Sequence, residues 1–424
     1  MAQIKPFKAL RFTEKAGPID QLVCPPYDII NEEERLGYLR RNPHNVIRLE
    51  LPREGEDPYL QAGQTLSSWE TEGMVAIDSS PAIYIYEEAF NAHGRACAVK
   101  GFICRVKLEE FSSGVILPHE ETLSKAKTDR FDLMQATRCN FSQIYSLYND
   151  NDGACASLLD ELSARDPDQE LTDRDGVTHR LWIVPENPQT AELCRRFADK
   201  KLYIADGHHR YETALNYRRA LAESGKAAPN GAADSVMMCL VAMEHPGLVV
   251  FPTHRIVRGL GRFHADDVLD KCRAYFEPAG LADAGAARQA LNEAYAAGKK
   301  AFVLYSGAYT LLTLRELSSM EKILPDASPA LRGLDVSVLH ALVLERLFGI
   351  DKANMAAGIN LTYTRDEAEA VSAVDSGEAS CAFLLNPTRV EEIRDVAAAG
   401  EKMPQKSTYF YPKLITGMVM NALR

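Results

Sequence analysis

Residues 201–217 read KLYIADGHHRYETALNY, and they set a strand, a glycine turn and a helix in immediate succession. The apolar run at 202–205 breaks at Asp206 and Gly207, and a helical pattern begins at His208. A strand that enters a helix through a glycine turn gathers unpaired N–H groups and the positive end of the helix dipole at one point. The stretch therefore predicts an anion-binding turn near the middle of the chain.

The side chains at this turn favour phosphate as the anion. His208, His209 and Arg210 add hydrogen-bond donors that match phosphate oxygens. Asp206 adds a carboxylate that can hold a metal ion or orient one of the histidines. The alternative is a structural turn whose histidines form hydrogen bonds inside the core, and two adjacent histidines beside an arginine make the functional interpretation the preferred one.

Composition sets broad limits on the kind of protein. The chain has 424 residues, of which 46% are hydrophobic, and 48 basic against 59 acidic residues give a net charge of −11. The hydrophobic content is typical of a globular protein, and the negative net charge argues against nucleic acid as a partner. Nine scattered cysteines without a CxxC pair favour a reducing compartment, and the longest apolar run, at 236–243, is too short to span a bilayer. We expect a cytoplasmic protein with no membrane partner.

The order of the predicted elements favours a mixed α/β (α+β) fold. A strand at 181–184, a helix at 190–200 and then the strand and helix of the opening stretch give a β-α-β-α order, which indicates a partly parallel sheet. Ligands of such sheets collect at the carboxyl ends of strands, where Asp206 falls. We expect a core at 1–262 that contains the turn, and a smaller α+β lobe at 263–424 whose tail packs back on the core.

Two stretches in the first third carry further candidate residues. Rigid PPYD at 25–28 presents Asp28 just before a predicted helix at 32–41, and a strand is predicted at 45–51. The charged stretch HEETLSKAKTDR at 119–130 places basic residues ahead of a helix that Thr128 and Asp129 are predicted to cap. Within this stretch, the candidates for closing over a polyphosphate are Lys125, Lys127 and Arg130, and the candidates for a base or metal ligand are His119 and Glu120.

Two later motifs add basic side chains. PTHR at 252–255 places His254 and Arg255 after a predicted strand at 248–251. KSTYFYPK at 406–413 sets three aromatic residues between Lys406 and Lys413, and such a segment is costly to leave exposed. We predict that these four basic residues join the phosphate site, so that all the motifs surround the turn. His340, by contrast, lies in an apolar helical run and is predicted to be a satisfied core or interface residue and not a ligand.

Five motifs occur in order along the chain, and together they resemble a known family: PPYD, HEETLSKAKTDR, ADGHHRYETAL, PTHR and KSTYFYPKLITG. The chain is similar to a prokaryotic family catalogued as domain of unknown function 1015, sometimes given a ParB-like label, which has no settled activity. Locally, DGHHR resembles the phosphate-binding turn of the ParB/sulfiredoxin superfamily, which implies a ParB/sulfiredoxin-like core.

Within that superfamily the turn is most similar to that of the free-serine kinases. Sulfiredoxins carry a catalytic cysteine where this chain has His208, which excludes their reaction. The partitioning proteins carry a glutamate and arginines, followed by a DNA-binding region for which this chain has no evident basic helix. The serine kinases also carry Asp-Gly-His-His-Arg, and the resemblance implies that nucleotide phosphates are held by Gly207, His208, His209 and Arg210.

Three functions follow from these patterns. The first is a kinase-like phosphotransferase that uses ATP or ADP with Mg²⁺ to phosphorylate a small hydroxylated metabolite such as an amino acid. The second is a metal-dependent hydrolase, and the third is a non-catalytic, ParB-like nucleotide-binding protein. The hydrolase would use Asp206, His208 and His209, although adjacent histidines at a helix start point in different directions.

The phosphotransferase is the leading hypothesis, because a glycine turn, paired histidines and basic residues supply charge neutralisation. It also needs a base, and the sequence leaves three candidates open: Asp28, Glu120 and Asp206. With His208 and His209 they form the predicted catalytic set, and Asp206 is also the predicted metal ligand. The oligomeric state does not follow from the sequence.

Overall fold

The computed structural model describes residues 1–92, 94–122, 124–226, 231–261 and 263–424, without the side chains of 124–126. The chain divides into two compact units. The first comprises Met1–Pro118, Thr122–Val249 and Pro412–Arg424, and the second comprises His119–Glu121 and Val250–Tyr411. The boundary expected after residue 262 therefore lies inside the second unit, and the last residues of the chain belong to the first.

The strands of the described residues are short except for one long hairpin. In chain order they are β1 Ile4–Lys5, β2 Leu10–Phe12, β3 Val75–Ile77, β4 Ala82–Ala92, β5 Arg95–Lys107, β6 Ile116–Leu117, β7 Cys139–Asn140, β8 Ile144–Tyr148, β9 Gln169–Thr172, β10 Thr178–Pro185, β11 Leu202–Asp206, β12 Ser235–Ala242, β13 Val249–Phe251, β14 His254–Val257, β15 Phe276–Leu281, β16 Ala301–Tyr305, β17 Tyr309–Leu314, β18 Leu361–Thr364, β19 Cys381–Leu385, β20 Tyr409–Tyr411 and β21 Asn421–Ala422.

The helices range from a single turn to about four turns. The α-helices are α1 Ile19–Leu22, α2 Glu32–Arg41, α3 Ile47–Glu50, α4 Pro58–Thr71, α5 Ser124–Thr137, α6 Ala154–Leu162, α7 Pro188–Arg196, α8 His208–Glu223, α9 Ala265–Cys272, α10 Ala284–Ala296, α11 Ser318–Ile323, α12 Pro329–Arg332, α13 Asp335–Val338, α14 Lys352–Ala357, α15 Glu367–Asp375 and α16 Val390–Ala398. Single 3-10 turns occur at Glu14–Ala16, Tyr27–Ile29, Phe111–Ser113 and Ala232–Asp234, and Leu339–Glu345 is π-helical.

A mixed sheet organises the first unit. In the described part of the chain it has nine strands in the order β6-β11-β8-β12-β5-β4-β10-β9, with β1 paired to β5. Only the β11–β6 and β12–β8 pairings are parallel. The predicted mixed α/β fold is confirmed, and the strand of the opening stretch, β11, lies between β6 and β8 near one end of the sheet.

Helix α8 packs on this sheet through one apolar face. Tyr211, Ala214 and Leu215 are buried in the same cluster as Leu202 and Ile204 of β11. The Tyr211 hydroxyl donates to the Glu109 carbonyl at 2.7 Å and accepts from the Glu109 N–H at 3.0 Å. Burial of such a face supplies most of a helix's stability in a protein, so the strand and the packed face hold the start of α8 in place.

Two local predictions were wrong. Residues 47–50 within the stretch 45–51 form the short helix α3 and not a strand, and the Ile47 N–H at its start donates to Asn45 Oδ1 at 3.0 Å. Val46, Ile47 and Leu49 are all fully buried. The apolar residues of this stretch therefore lie on several buried sides of a helix and do not alternate with exposed residues as they would in a strand. Helix α5 begins at Ser124 and not after Thr128, which places Lys127 within a helix and not in a loop before it.

The second unit is built on a mainly antiparallel sheet. Among the described residues its strands follow the order β15-β17-β16-β19-β14-β18, and all five pairings between these neighbours are antiparallel. Its core includes Ile256, Val303 and Leu384. In the described residues of the chain, no helix is long and apolar enough to cross a membrane.

Candidate functional site

The turn after β11 has the backbone geometry that the sequence predicts. The pairing of β11 with β8 shifts register between Ile204 and Asp206, which marks a local irregularity just before the turn. Gly207 follows with a φ of 95°, a conformation that side chains with a Cβ rarely adopt. Because Gly207 has no side chain, the first N–H groups of α8 are not capped by it. The turn thus presents a helix N-terminus of the kind that binds anions.

Asp206 lies between two cationic side chains. Its Oδ2 accepts a hydrogen bond from Arg210 Nη2 at 2.6 Å, and its Oδ1 accepts one from Lys413 Nζ. The three side chains are only 11–17% exposed. Burial raises the pKa of Asp206, but the charges of Lys413 and Arg210 and the Lys413 hydrogen bond outweigh it and hold that pKa well below the usual range. The carboxylate is therefore ionised at neutral pH.

Arg210 is oriented by the turn itself. Its Nη1 donates to the Gln143 carbonyl at 2.6 Å, in addition to the bond to Asp206. A Cβ at position 207 would lie 2.9 Å from Arg210 Nη2, closer than such atoms approach. Gly207 thus has two roles, since it supplies the positive φ and lets the guanidinium lie against the backbone.

The two histidines differ in exposure. His208 is buried, and its charge is one of the influences that lower the pKa of Asp206. His209 is half-buried on the next position of the first helical turn. Of the pair, His209 is the better placed to meet a ligand from solvent.

The charged stretch 119–130 reaches the turn helix in the first unit through Lys127. Its Nζ donates to Glu212 Oε2 at 2.7 Å, and the Thr122 hydroxyl donates to the same oxygen at 2.9 Å. Glu212 lies one helical turn after His208, so α5 and α8 are joined beside the start of α8. The side chain of Lys125 lies outside the described residues.

The PPYD motif contributes Tyr27 to the same region. The Arg130 guanidinium lies 4.1 Å from the centre of the Tyr27 ring, a cation–π contact. Burial and the nearby Asp28 carboxylate raise the pKa of Tyr27, while the charges of Arg130 and Arg210 lower it. Asp28 itself is exposed. In the first unit, the PPYD motif and residues 127–130 of the charged stretch thus lie close to the turn at 206–210, which also contacts Lys413.

Glu50 is a candidate that the sequence interpretation missed. It is 2% exposed, its carboxylate accepts from the Ser142 hydroxyl at 2.9 Å, and Arg130 Nη1 lies 3.8 Å away. Burial raises its pKa, although the charges of Arg130 and Arg210 oppose the rise. Glu50, Arg130 and Arg210 line one cavity of about 30 Å³, room for about one water molecule. The signal in the sequence was Glu50 itself, the single acidic residue in the largely apolar run VIRLEL at 46–51.

Other predicted site residues belong to the second unit. Glu120 Oε1 accepts the Lys406 N–H at 3.1 Å, and His119 Nε2 lies 3.1 Å from the Thr408 hydroxyl. Lys406 is exposed. These contacts join the start of the 119–130 motif to the 406–413 motif, and a common site with the turn of the first unit stays a prediction for these residues.

His254 and Arg255 lie within strand β14 and not in a loop after a strand. His254 Nδ1 accepts the Leu385 N–H at 3.2 Å, and burial lowers the pKa of His254 to about 4, so the ring is neutral. Arg255 is 1% exposed and donates to the carbonyls of Thr253 and Lys406. Burial lowers the pKa of Arg255 to about 10. Both side chains have protein partners, and their role as phosphate ligands stays a prediction.

The residues at the turn do not fit a preformed metal site. Both oxygens of Asp206 already accept hydrogen bonds from cations, and a Mg²⁺ ligand would have to give one of them up. Among the described residues, no group of three or more histidine, cysteine, aspartate or glutamate side chains is arranged to hold a metal ion.

Comparison with known proteins adds a family to this geometry. The profile of a family described as protein of unknown function (DUF1015) matches residues 4–337, most of the chain. The chain belongs to this family. The region shared with the DUF1015 family includes the turn at Asp206 and strand β14, while Lys413 lies beyond its end. No curated protein matches the chain.

Solved structures give weaker similarities. A conserved hypothetical protein from Pyrococcus furiosus is 14% identical, with 74% of this chain and 92% of that chain covered and a TM-score of 0.34. A free serine kinase in complex with AMP is 14% identical, with 74% of this chain and 87% of that chain covered and a TM-score of 0.35. SbnI with a C-terminal truncation, from Staphylococcus aureus, is 11% identical, covers 75% and 86%, and has a TM-score of 0.38.

Proposed function

We propose that this member of the DUF1015 family is a nucleotide-dependent phosphotransferase that acts on a hydroxyl group of a small metabolite such as an amino acid. The observation that carries the proposal is the cationic turn at the start of α8. Arg210 and Lys413 are fixed there by Asp206, at a helix N-terminus opened by Gly207. The similarities to solved structures have TM-scores below 0.5 and do not support the proposal.

The turn suits nucleotide phosphates on three grounds. Two cations against one carboxylate leave a positive balance, and the helix dipole adds to it. The Gly207 backbone allows close approach of a phosphate to the first N–H groups of α8. His209 supplies a further donor from a half-buried position.

Glu50 is the proton acceptor that we propose. The depressed pKa of Asp206 makes it a poor base. Burial instead shifts the pKa of Glu50 upward, toward the neutral pH at which a general base works best. Glu50 also lines the same cavity as Arg210, so the proposed base and a cation proposed to bind phosphate lie beside one cavity.

The proposed step is a single displacement. The substrate hydroxyl oxygen forms a bond to the terminal phosphorus as the bond from that phosphorus to the nucleotide oxygen breaks, and the hydroxyl proton passes to the Glu50 carboxylate. The positive charges at the turn neutralise the leaving nucleotide. Because the Asp206 oxygens do not fit a Mg²⁺ site, no part of this step depends on a metal held by them.

Turnover can be tested with purified protein, ATP or ADP, Mg²⁺ and a panel of hydroxylated metabolites that includes serine, threonine and glycerol. We expect a new phosphomonoester signal in phosphorus NMR with at least one acceptor. The His209→Ala variant should slow its formation by about tenfold or more, the loss expected for one donor to the transferred group. His264→Ala, an exposed histidine of the second unit, is the matched control and should leave the rate unchanged. Absence of any phosphorylated acceptor, or equal rates for both variants, would contradict the proposal.

A further inference from the structure

A second candidate site lies wholly within the second unit. It is a cavity of about 460 Å³, and none of its lining residues belongs to the first unit. Leu324, Leu331, Met355 and Met403 are among the residues that form its apolar walls. Small-molecule sites in proteins typically occupy about 300–1,000 Å³ and are mostly apolar with a few polar groups, so the cavity has the dimensions of a binding site.

Several residues that line this cavity carry buried polar atoms without protein partners. His340 is 5% exposed and Ser337 is 3% exposed, and within the described part of the chain neither His340 Nε2 nor Ser337 Oγ has a hydrogen-bond partner. The same holds for the Tyr363 hydroxyl and Glu401 Oε2. His340 is buried as the sequence predicts, but the expectation that it is satisfied was wrong. A buried polar atom without a partner is destabilising, so four such atoms in residues around one cavity indicate a site built for a polar ligand.

The backbone beside these groups is also unusual. His340, Ala341 and Glu345 line the cavity from the π-helical segment Leu339–Glu345. π-Helical turns are rare and occur frequently at functional sites, because the extra residue in the turn redirects side chains. The segment follows Ser337 at the end of α13, so the two buried polar side chains come from one continuous stretch of chain.

The charges at the cavity define the ligand further. Four carboxylate residues line it, namely Glu121, Asp326, Glu345 and Glu401, against the two ammonium groups of Lys352 and Lys402. Burial and the charges of Arg255 and Lys352 hold the pKa of His340 well below its usual range, so its ring adds no positive charge. The surplus of carboxylates disfavours a phosphate or another polyanion.

We propose that this cavity binds a small organic molecule that is uncharged or carries one positive charge and presents hydroxyl or amino groups on an apolar frame. Hydroxyl or amino hydrogens of the ligand are donated to Glu401 and Ser337, and His340 forms a further hydrogen bond through Nε2. The apolar walls cover the frame. The site does not depend on the phosphotransferase activity, and its ligand differs in charge from a nucleotide.

Three probes with one frame test this proposal on the full chain: benzyl alcohol, benzylamine and benzoate. Binding is measured by saturation-transfer NMR, and its position by the His340 ring signal, which the His340→Leu variant identifies. We expect benzyl alcohol or benzylamine to bind and shift this signal, and benzoate to bind at least about tenfold more weakly, a difference of about 1.4 kcal/mol. Failure of both donor probes to shift the His340 signal, or equal binding of benzoate, would overturn the proposal.

A pair of alanine substitutions supplies the control. Ala327 lines the cavity and is half-buried in a loop, whereas Ala330 is half-buried three residues later and does not line it. We expect Ala327→Trp to weaken the donor probes by about tenfold or more, since the indole fills the cavity, and Ala330→Trp to leave binding unchanged. The His340→Leu variant should retain the fold and bind benzyl alcohol more weakly, because it loses the hydrogen bond at Nε2. Equal binding by both tryptophan variants would place the probes elsewhere and overturn the assignment.

Discussion

Replacing Glu50 with glutamine is expected to slow phosphotransfer by roughly 10²–10⁴-fold, the range that a general base contributes. Glutamine preserves the shape of the side chain and can keep the 2.9 Å contact with the Ser142 hydroxyl, but it cannot accept the substrate proton. The measurement is the initial rate of phosphomonoester formation at neutral pH, with the acceptor that the wild-type protein phosphorylates.

The same variant is expected to be at least as stable as the wild type at neutral pH. Burial raises the pKa of Glu50, so the folded protein binds the proton more tightly than the unfolded chain does. The stability contributed by this proton is fully present below the unfolded pKa of about 4.3 and is lost as the pH rises through the folded value. Glutamine mimics the protonated form of Glu50. The variant should therefore be more stable than the wild type above the folded pKa, and the two proteins should be equally stable in acid.

Glu88→Gln is the matched control for this experiment. Glu88 is 1% exposed in the first unit, and burial raises its pKa to about 7. Its carboxylate accepts a hydrogen bond from the Tyr86 hydroxyl at 3.5 Å and lies 3.6 Å from His179 Nδ1, and both partners are outside the candidate site. Glu88→Gln should therefore leave phosphotransfer unchanged. A rate for Glu50→Gln that equals that of the control would remove Glu50 from the mechanism.

Asp206→Asn is expected to destabilise the first unit by about 3 kcal/mol, because removal of one member of a buried ion pair leaves the remaining charge uncompensated. Lys413 and Arg210 are 11% and 12% exposed and would share a site without the carboxylate that neutralises them. The depressed pKa of Asp206 means that its contribution is present above the unfolded pKa of about 3.9 and is lost as the pH falls through the folded value. The difference between variant and wild type should therefore shrink in strong acid.

Tryptophan fluorescence isolates this effect in one unit. The two tryptophans of the sequence, Trp69 and Trp182, both belong to the first unit, so urea unfolding followed by fluorescence reports on it alone. Adding Lys413→Met to Asp206→Asn should restore part of the loss, because one of the two excess charges is then removed. An unchanged unfolding midpoint in Asp206→Asn, or no recovery in the double variant, would show that the three charges do not act as a network.

Local patterns predicted the elements that depend on local physics. The glycine turn between β11 and α8 needs only an apolar run, a residue that tolerates positive φ and a helical pattern after it. Helix α2 matches the helix predicted at 32–41, and Asn31 and Glu34 form a reciprocal capping box at its start.

The misses arise from contacts between distant parts of the chain. The sequence predicted that Lys413 lies at the turn, but it did not predict the ion pair of Lys413 with Asp206, because no local pattern identifies a pairing across 207 residues. Glu50 was missed because the stretch around it was assigned to a strand with one solvated face, whereas α3 is buried and carries the acid inward. His340 was assigned to the core correctly, but an apolar run does not show whether a buried imidazole finds a partner.

The most direct test of the proposed phosphate site at the turn is calorimetric titration of ADP and ATP, each with Mg²⁺, into the wild-type protein. Pyrophosphate and adenosine then serve as separate competitors, because they carry the two halves of the ligand's chemistry. We expect the nucleotide to bind at one site per chain, where pyrophosphate displaces it and adenosine does not. His209→Ala should weaken nucleotide binding by about tenfold, or about 1.4 kcal/mol. No heat of binding with either nucleotide, or binding that adenosine displaces and pyrophosphate does not, would contradict the assignment of the turn at Asp206–Arg210 as a nucleotide phosphate site.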